Sequence, residues 1–262
     1  MRVSIVNCVS TAAEMMAFSD FSLFNEAGCL DFDYIVVKWL PSLEVDQYLK
    51  LLSNRELHLS PWPDSVSVHI IEHQTDDSVG YVPNLRSMMN EGFSRGFQLN
   101  DYCGLVNTDC YFGPDWLAAL KKYAQSNRVI NSLHITPAIP PRGVLGIVTD
   151  DLGIPLPSEF DKHRFDTICA ELYQDKLITA PKNDYRQCAT MPYLFHRKYW
   201  KTCGPWELNC VQGEPPDVRF FTRIAEAGAE YCMTPSSIVY HAEAVERRGQ
   251  RPPGAEHLRE ET

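Results

Sequence analysis

Short apolar runs alternate with helical segments through the first half of the chain, and this limits the possible folds more than any other feature. Val3–Val9 (VSIVNCV), Asp33–Trp39 (DYIVVKW), Val66–Ile71 (VSVHII) and Tyr102–Val106 (YCGLV) are rich in β-branched and aromatic residues. Runs of this length and composition read as buried strands. Between them, Thr11–Phe24, Pro41–Leu52 and Asn84–Gly96 read as helices, and Leu43, Tyr48, Leu51 and Leu52 are spaced for one helical face. The segment Ser60–Asp64 (SPWPD) is a turn-rich link. Strand–helix alternation implies βαβ units, a mainly parallel central sheet and flanking helices, an α/β fold. Such sheets bind ligands beyond the carboxyl ends of their strands, so the residues after Val9, Val37, Ile71 and Val106 are where chemistry is expected.

The remaining chain is less regular. Gly113-Pro114-Asp115 opens a helix carrying Trp116, Leu117, Leu120 and Tyr123. Proline suits the first helical position, and Asp115 complements the positive helix end. From Pro137 to Lys182 prolines and glycines are frequent, and the stretch reads as a substrate-side insertion. Order returns at Tyr193–Trp200 and Val218–Ala227, and Glu246–Thr262 is a polar tail. The 262 residues suit one large α/β domain or two small ones, and we expect a single one. We expect a nucleotide-binding half over 1–125, an acceptor-side half over 126–245 and the tail over 246–262.

Composition narrows the function. A net charge of −10 disfavours a broad nucleic-acid grip through phosphates, although a local groove needs little basic excess. Nine scattered cysteines without a C-x-x-C pair fit reduced thiols in a cytoplasmic protein better than a zinc knuckle or disulfide scaffold. The sequence suggests no transmembrane segment and no signal peptide.

The strongest motif is Gly104–Tyr123, GLVNTDCYFGPDWLAALKKY. An apolar strand runs into Asn107-Thr108-Asp109. A carboxylate at a strand's carboxyl end can meet a divalent cation that bridges a diphosphate, or it can simply turn the chain. A second motif is Gly204–Gly228, GPWELNCVQGEPPDVRFFTRIAEAG. Here Asp217 opens a helix that ends at Gly228, a natural C′ residue. It can act as a helix cap or as a general base. A third is Ile238-Val239-Tyr240-His241, a strand-like run ending in a histidine that is either structural or a metal ligand.

Together these segments resemble family 2-type glycosyltransferases with the GT-A fold. In that family a strand ends in D-x-D or N-x-D, followed by a proline-glycine turn and a Trp-Leu helix. The resemblance covers most of Met1–Ala242. It implies a nucleotide-sugar donor, an acceptor of unspecified class (glycan, lipid-linked, protein or nucleic acid) and a divalent cation, Mn²⁺ or Mg²⁺. It implies that Asp109 binds metal and donor diphosphate, that Asn107 bonds the donor ribose or sugar, and that His241 completes the metal site. Neutral imidazole suits Mn²⁺ better than Mg²⁺. Counting back from Arg223, Asp217 falls at the catalytic base of an inverting displacement. Trp206 and Glu207 fall on the acceptor side, Trp206 suiting a sugar face or the core. Gly80–Gly96 resembles the donor-side helix, with Asn84 toward the nucleotide. Three residues depart from the family pattern. Pro216 stands where Glu is usual, with Glu214 upstream. Pro205-Trp206 replaces a Gly-Phe pair. Lys38 follows the second strand where the family often has Asp, which leaves the nucleotide open. These departures keep a catalytically degenerate, binding-only domain as an alternative.

Two other motif matches fail on context. His69-Ile-Ile-Glu72-His73 fits a metalloprotease pattern, but on a strand residues four apart lie roughly 13 Å from each other. Gly92-Phe-Ser94-Arg-Gly96 fits a hydrolase nucleophile elbow, but no buried strand precedes it. A serine hydrolase using Ser94 is the remaining alternative.

Overall fold

A computed structural model describes residues 1–9, 13–29, 31–57, 65–137, 147–150, 152, 159–181, 191–209 and 216–242. The link at Ser60–Asp64, Glu214 and the tail from Glu246 lie outside the described residues.

The first half is the expected alternation: β1 (Val3–Val9), α1 (Ala13–Asn25), β2 (Phe32–Lys38), α2 (Leu43–Ser53), β3 (Ser67–Glu72), α3 (Tyr81–Leu99) and β4 (Tyr102–Val106). Then come β5 (Cys110–Phe112), α4 (Trp116–Tyr123), β6 (Arg128–Thr136), β7 (Ile147–Thr149), α5 (Lys162–Leu172) and β8 (Ile178–Thr179). The chain continues through β9 (Tyr193–His196), α6 (Arg197–Cys203), α7 (Pro216–Glu226) and β10 (Glu230–His241). Among the described residues, no helix is long and apolar enough to cross a membrane.

Among the described residues ten strands join one sheet, ordered β3-β2-β1-β4-β9-β6-β10-β5, with β7 beside β6 and β8 beside β10. The strands β3, β2, β1 and β4 pair in parallel. β9 runs antiparallel to both β4 and β6, so β4 and β6 point the same way. β10 is parallel to β6 and therefore also shares β4's direction. The carboxyl ends of β1, β4 and β10 thus lie along one edge of the sheet. Strand order reverses at β1, the kind of switch point beyond which α/β sheets bind ligands.

Alternation within the strands sorts the core into two layers. Val3, Ile5, Val9, Tyr34 and Val36 face one side and pack with Met16 and Leu23 of α1, Leu49 of α2 and Trp116 of α4. Val6, Ile35 and Val37 face the other and meet Met88, Phe93 and Phe97 of α3 with Phe220 and Ile224 of α7. Helix α3 lies against β1 because Gly92 and Gly96 lack side chains. A Cβ at Gly92 would stand 2.3 Å from Val6 Cγ1, and one at Gly96 would stand 2.6 Å from Cys103 Sγ. The apparent nucleophile elbow around Ser94 is therefore a helix–sheet packing pattern inside α3.

Local chemistry starts and stops the helices. Ser42 caps α2 by accepting from the Val45 amide, and Glu44 and Asp46 fill the acidic first turn. Helix α4 differs from expectation, because it begins at Trp116 and Pro114 lies outside it. Asp115 takes a left-handed conformation with φ 58° and makes no side-chain cap bond. The Trp116 and Ala118 amides instead donate to the carbonyls of Glu26 and Ala27. Gly28 is required beneath this junction, since a Cβ there would meet Asp115 Cα at 2.7 Å. The stretch read as an irregular insertion contains α5, capped by Asp161 accepting from the Arg164 amide. Phe165 and Cys169 of α5 pack beside Tyr111 and Ile135.

A polar cluster lies buried beneath α1. Asp20 accepts from the Tyr34 hydroxyl at 2.5 Å and the Tyr48 hydroxyl at 3.0 Å, and Asn7 donates to Tyr34. Burial dominates and pushes the Asp20 carboxyl up to about 7, while the two tyrosine bonds pull it down less strongly. The folded state thus favours protonated Asp20. That stabilisation is complete below the ordinary value of 3.8 and is lost as pH rises through about 7. Urea denaturation of the wild type should show this loss of stability between about pH 4 and pH 8, and Asp20→Asn should flatten it. Parallel pH profiles for the two proteins would contradict the assignment.

Candidate functional site

The sheet's carboxyl edge gathers residues that are far apart in the chain. Asn107-Thr108-Asp109 link the end of β4 to β5. The Asn107 carbonyl is held from two sides, by the Ser19 hydroxyl at 3.1 Å and the Cys110 amide at 3.3 Å. The Ala242 amide donates to the Asp109 carbonyl at 3.0 Å. Antiparallel register sets His241 of β10 directly opposite Cys110 of β5.

These constraints place His241 Nε2 3.2 Å from Asp109 Oδ1. Asp109 is 3% exposed, and its Oδ1 has no hydrogen-bond partner even though the imidazole is this close. The distance allows attraction, while the alignment falls short of a hydrogen bond. Cys110 joins the pair, and the ligand atoms of Asp109, Cys110 and His241 all lie within 4.8 Å of one another. A buried carboxylate oxygen without a partner is costly, and a cation would satisfy it. The donor set therefore fits a divalent metal. His134 of β6 stands behind, its ring 6.0 Å from that of His241. Burial, with the nearby His241 charge, pushes His134 down to about 3, so it is a neutral imidazole.

Asp109 and His241, singled out in the sequence, thus come together, with Asn107 half-buried beside them. Asp217 stands exposed in the first turn of α7. Helix α7 packs through Phe220 and Ile224 on the face of the sheet covered by α3, whereas Cys110, the register partner of His241, packs in the layer of α1 and α4.

Three other expected site residues have their polar or apolar groups occupied elsewhere. Asn84 is fully buried rather than facing a nucleotide. Its oxygen accepts from the Asp76 amide at 2.9 Å and lies 3.3 Å from His73 Nε2, and its amide donates to the Asp76 and Gly80 carbonyls. It holds the loop after β3. Trp206 is 8% exposed and packs among Phe93, Phe220 and Phe221, the surroundings of a core residue. Asn90 of α3 brackets its backbone, accepting from the Trp206 amide and donating to its carbonyl. Glu207 gives one oxygen to Arg219 at 2.6 Å and the other to Arg223 at 2.8 Å. The Arg219 bond chiefly holds its carboxyl below the usual range. Glu207 therefore fastens α7 to this loop instead of presenting a free carboxylate to an acceptor.

Lys38 is also engaged, with Asp46 at 2.7 Å and Glu72 at 3.6 Å. His69 and His73 do not share an ion: His69 bonds Asp33 and His73 bonds Glu91. Cys110 and His134 were missed in the sequence. The signal for Cys110 was its position directly after Asp109; a lone histidine inside an apolar strand gave none for His134.

No protein-family model and no curated protein matches this sequence. Solved structures do match its fold. TarS from S. aureus, residues 1–349, superposes with a TM-score of 0.57 at 12% identity, covering 93% of this chain and 61% of that one. The same protein in complex with UDP gives 0.58 at 11% identity, covering 92% and 60%. GalNAc-T7 with UDP, GalNAc and Mn²⁺ gives 0.55 at 12% identity, covering 91% and 43%. The chain spans less than two thirds of each of these. The likeness establishes the fold, the α/β GT-A architecture with a central, mostly parallel sheet flanked by helices.

If Trp206 is a core residue, Trp206→Ala should lower stability by about 3–5 kcal/mol in chemical denaturation. An exposed sugar platform would instead tolerate the change with little loss of stability.

Proposed function

We propose that this chain is a glycosyltransferase that moves a sugar from a nucleoside-diphosphate sugar to an acceptor hydroxyl, with a divalent cation held by Asp109 and His241. One observation carries the reading: the buried Asp109 Oδ1, which lacks a hydrogen-bond partner, lies 3.2 Å from His241 Nε2 at the carboxyl edge of a GT-A sheet. Structures of this fold with UDP, and with UDP, GalNAc and Mn²⁺, support it.

When bound, the cation would supply positive charge against the diphosphate. In the proposed reaction Asn107 bonds the donor ribose or sugar. Asp217, in the first turn of α7, takes the proton from the acceptor hydroxyl. The acceptor oxygen then bonds the anomeric carbon as the bond from that carbon to the diphosphate oxygen breaks. The sugar changes configuration and the nucleoside diphosphate leaves. Asn84 contributes indirectly, by fixing the loop after β3.

Calorimetric titration of UDP, GDP, CDP and dTDP, each with and without Mn²⁺, tests the donor site. One nucleotide should bind in a metal-dependent manner to the wild type and fail to bind Asp109→Ala. Absence of binding by all four would remove the proposal. Using the donor so identified, Asp217→Asn should keep nucleotide affinity and lower nucleoside-diphosphate release by about 10²–10⁴-fold. Unchanged release would show that Asp217 is not the base.

A further inference from the structure

We propose that Cys110 is a third metal ligand, binding as a thiolate, and that it makes this centre selective for thiophilic ions such as Zn²⁺ and Co²⁺ over Mg²⁺. The inference rests on the reading that Asp109 and His241 hold a cation, and it goes beyond an ordinary carboxylate–imidazole site.

Two independent features of the structure support it. The first is register. Cys110 opens β5 and is the Cα partner of His241 in an antiparallel pair. Directly opposed residues project to the same face with Cβ atoms roughly 4.5–5.5 Å apart. The thiol and the imidazole therefore share one side of the sheet, and the 4.8 Å spread of the three ligand atoms is near what a single ion spans. The second is the buried Asp109 Oδ1, which lacks a hydrogen-bond partner while lying against this same pair.

The donor set then decides the ion. Carboxylate oxygens suit Mg²⁺ and Mn²⁺, imidazole suits Zn²⁺ and related ions, and thiolate strongly favours the softer metals. Three protein ligands with one position open is the usual arrangement of a zinc site that also binds a substrate. Burial agrees with this: Cys110 is fully enclosed, whereas the His241 side chain is 18% exposed, so the centre opens on the histidine side. Coordination would release the Cys110 proton to solvent and leave sulfur bonded to the metal.

Cobalt reports on this directly, because a thiolate ligand gives Co²⁺ an intense near-ultraviolet charge-transfer band that oxygen and nitrogen ligands do not. The metal-free 262-residue chain is titrated with Co²⁺ and followed by absorption. The wild type should develop the band at one equivalent, and Cys110→Ser, Asp109→Ala and His241→Ala should each lose it. Competition against a chelator should show Zn²⁺ affinity falling by about tenfold or more in Cys110→Ser, while Mg²⁺ affinity is unchanged. Circular dichroism verifies that the variants fold, and the wild-type spectrum is informative without them. Stoichiometric Co²⁺ binding without the band would overturn the thiolate assignment and leave the Asp109–His241 cation site standing. A band that persists in Cys110→Ser would place the sulfur elsewhere. Failure of Co²⁺ to bind at all would remove the cation site as well.

Discussion

Antiparallel pairing of β5 with β10 sets His241 across from Cys110, and the Ala242 amide fastens the same edge to the Asp109 carbonyl. Residues from the middle and the end of the chain are held together by backbone bonds that any sequence could make. What selects this register is a bulge in β10. Thr234 pairs with Ser132 of β6, but the next pairing is Ile238 with Leu133. Residues 235–237 bulge out, and Ser237 bonds Ser132 while Ser236 bonds Thr234. An odd slip exchanges the faces of a strand. Without the bulge, β10 would present its other face at the carboxyl edge and His241 would not meet Asp109.

The surroundings of this edge are occupied by support. Asn84 ties down the loop after β3, Lys38 joins β2 to α2 and β3, and Glu207 locks α7 through two arginines. Asn90 clamps Trp206. Each is a polar or aromatic residue of the type that marks binding sites; Asn84, Lys38 and Glu207 bond within the protein, while Trp206 is held through its backbone and its indole Nε1 is buried without a hydrogen-bond partner. Asp109 differs from them in that its buried Oδ1 has no hydrogen-bond partner and lies 3.2 Å from a second metal-ligating group, the His241 imidazole.

The sequence shows much of this architecture and less of the site. VSIVNCV, DYIVVKW and YCGLV are apolar runs buried on both faces, whereas VSVHII forms the edge strand β3, whose residues are only part-buried. Asp109 and His241 were legible as strand-end residues, but their meeting depends on a bulge and an antiparallel edge strand of three residues, which leave little local trace. Trp206 and Glu207 look like acceptor contacts in the motif, yet their partners, Asn90, Arg219 and Arg223, come from two helices and only the fold assembles them. Helix α5 was hidden among prolines and glycines, although Phe165, Ile168, Cys169 and Leu172 keep helical spacing. The glycines of α3 show the reverse error: Gly92 and Gly96 imitate a catalytic motif while serving close packing against β1.

The central claim is that a cation bound at Asp109 and His241 meets a nucleoside diphosphate at the carboxyl edge of this sheet. Anomalous diffraction from crystals grown with Mn²⁺ and UDP tests it most directly. The account predicts an anomalous peak bonded to the Asp109 carboxylate and the His241 imidazole and in contact with the diphosphate. UDP bound without a peak there, or a peak at another set of residues, would contradict it.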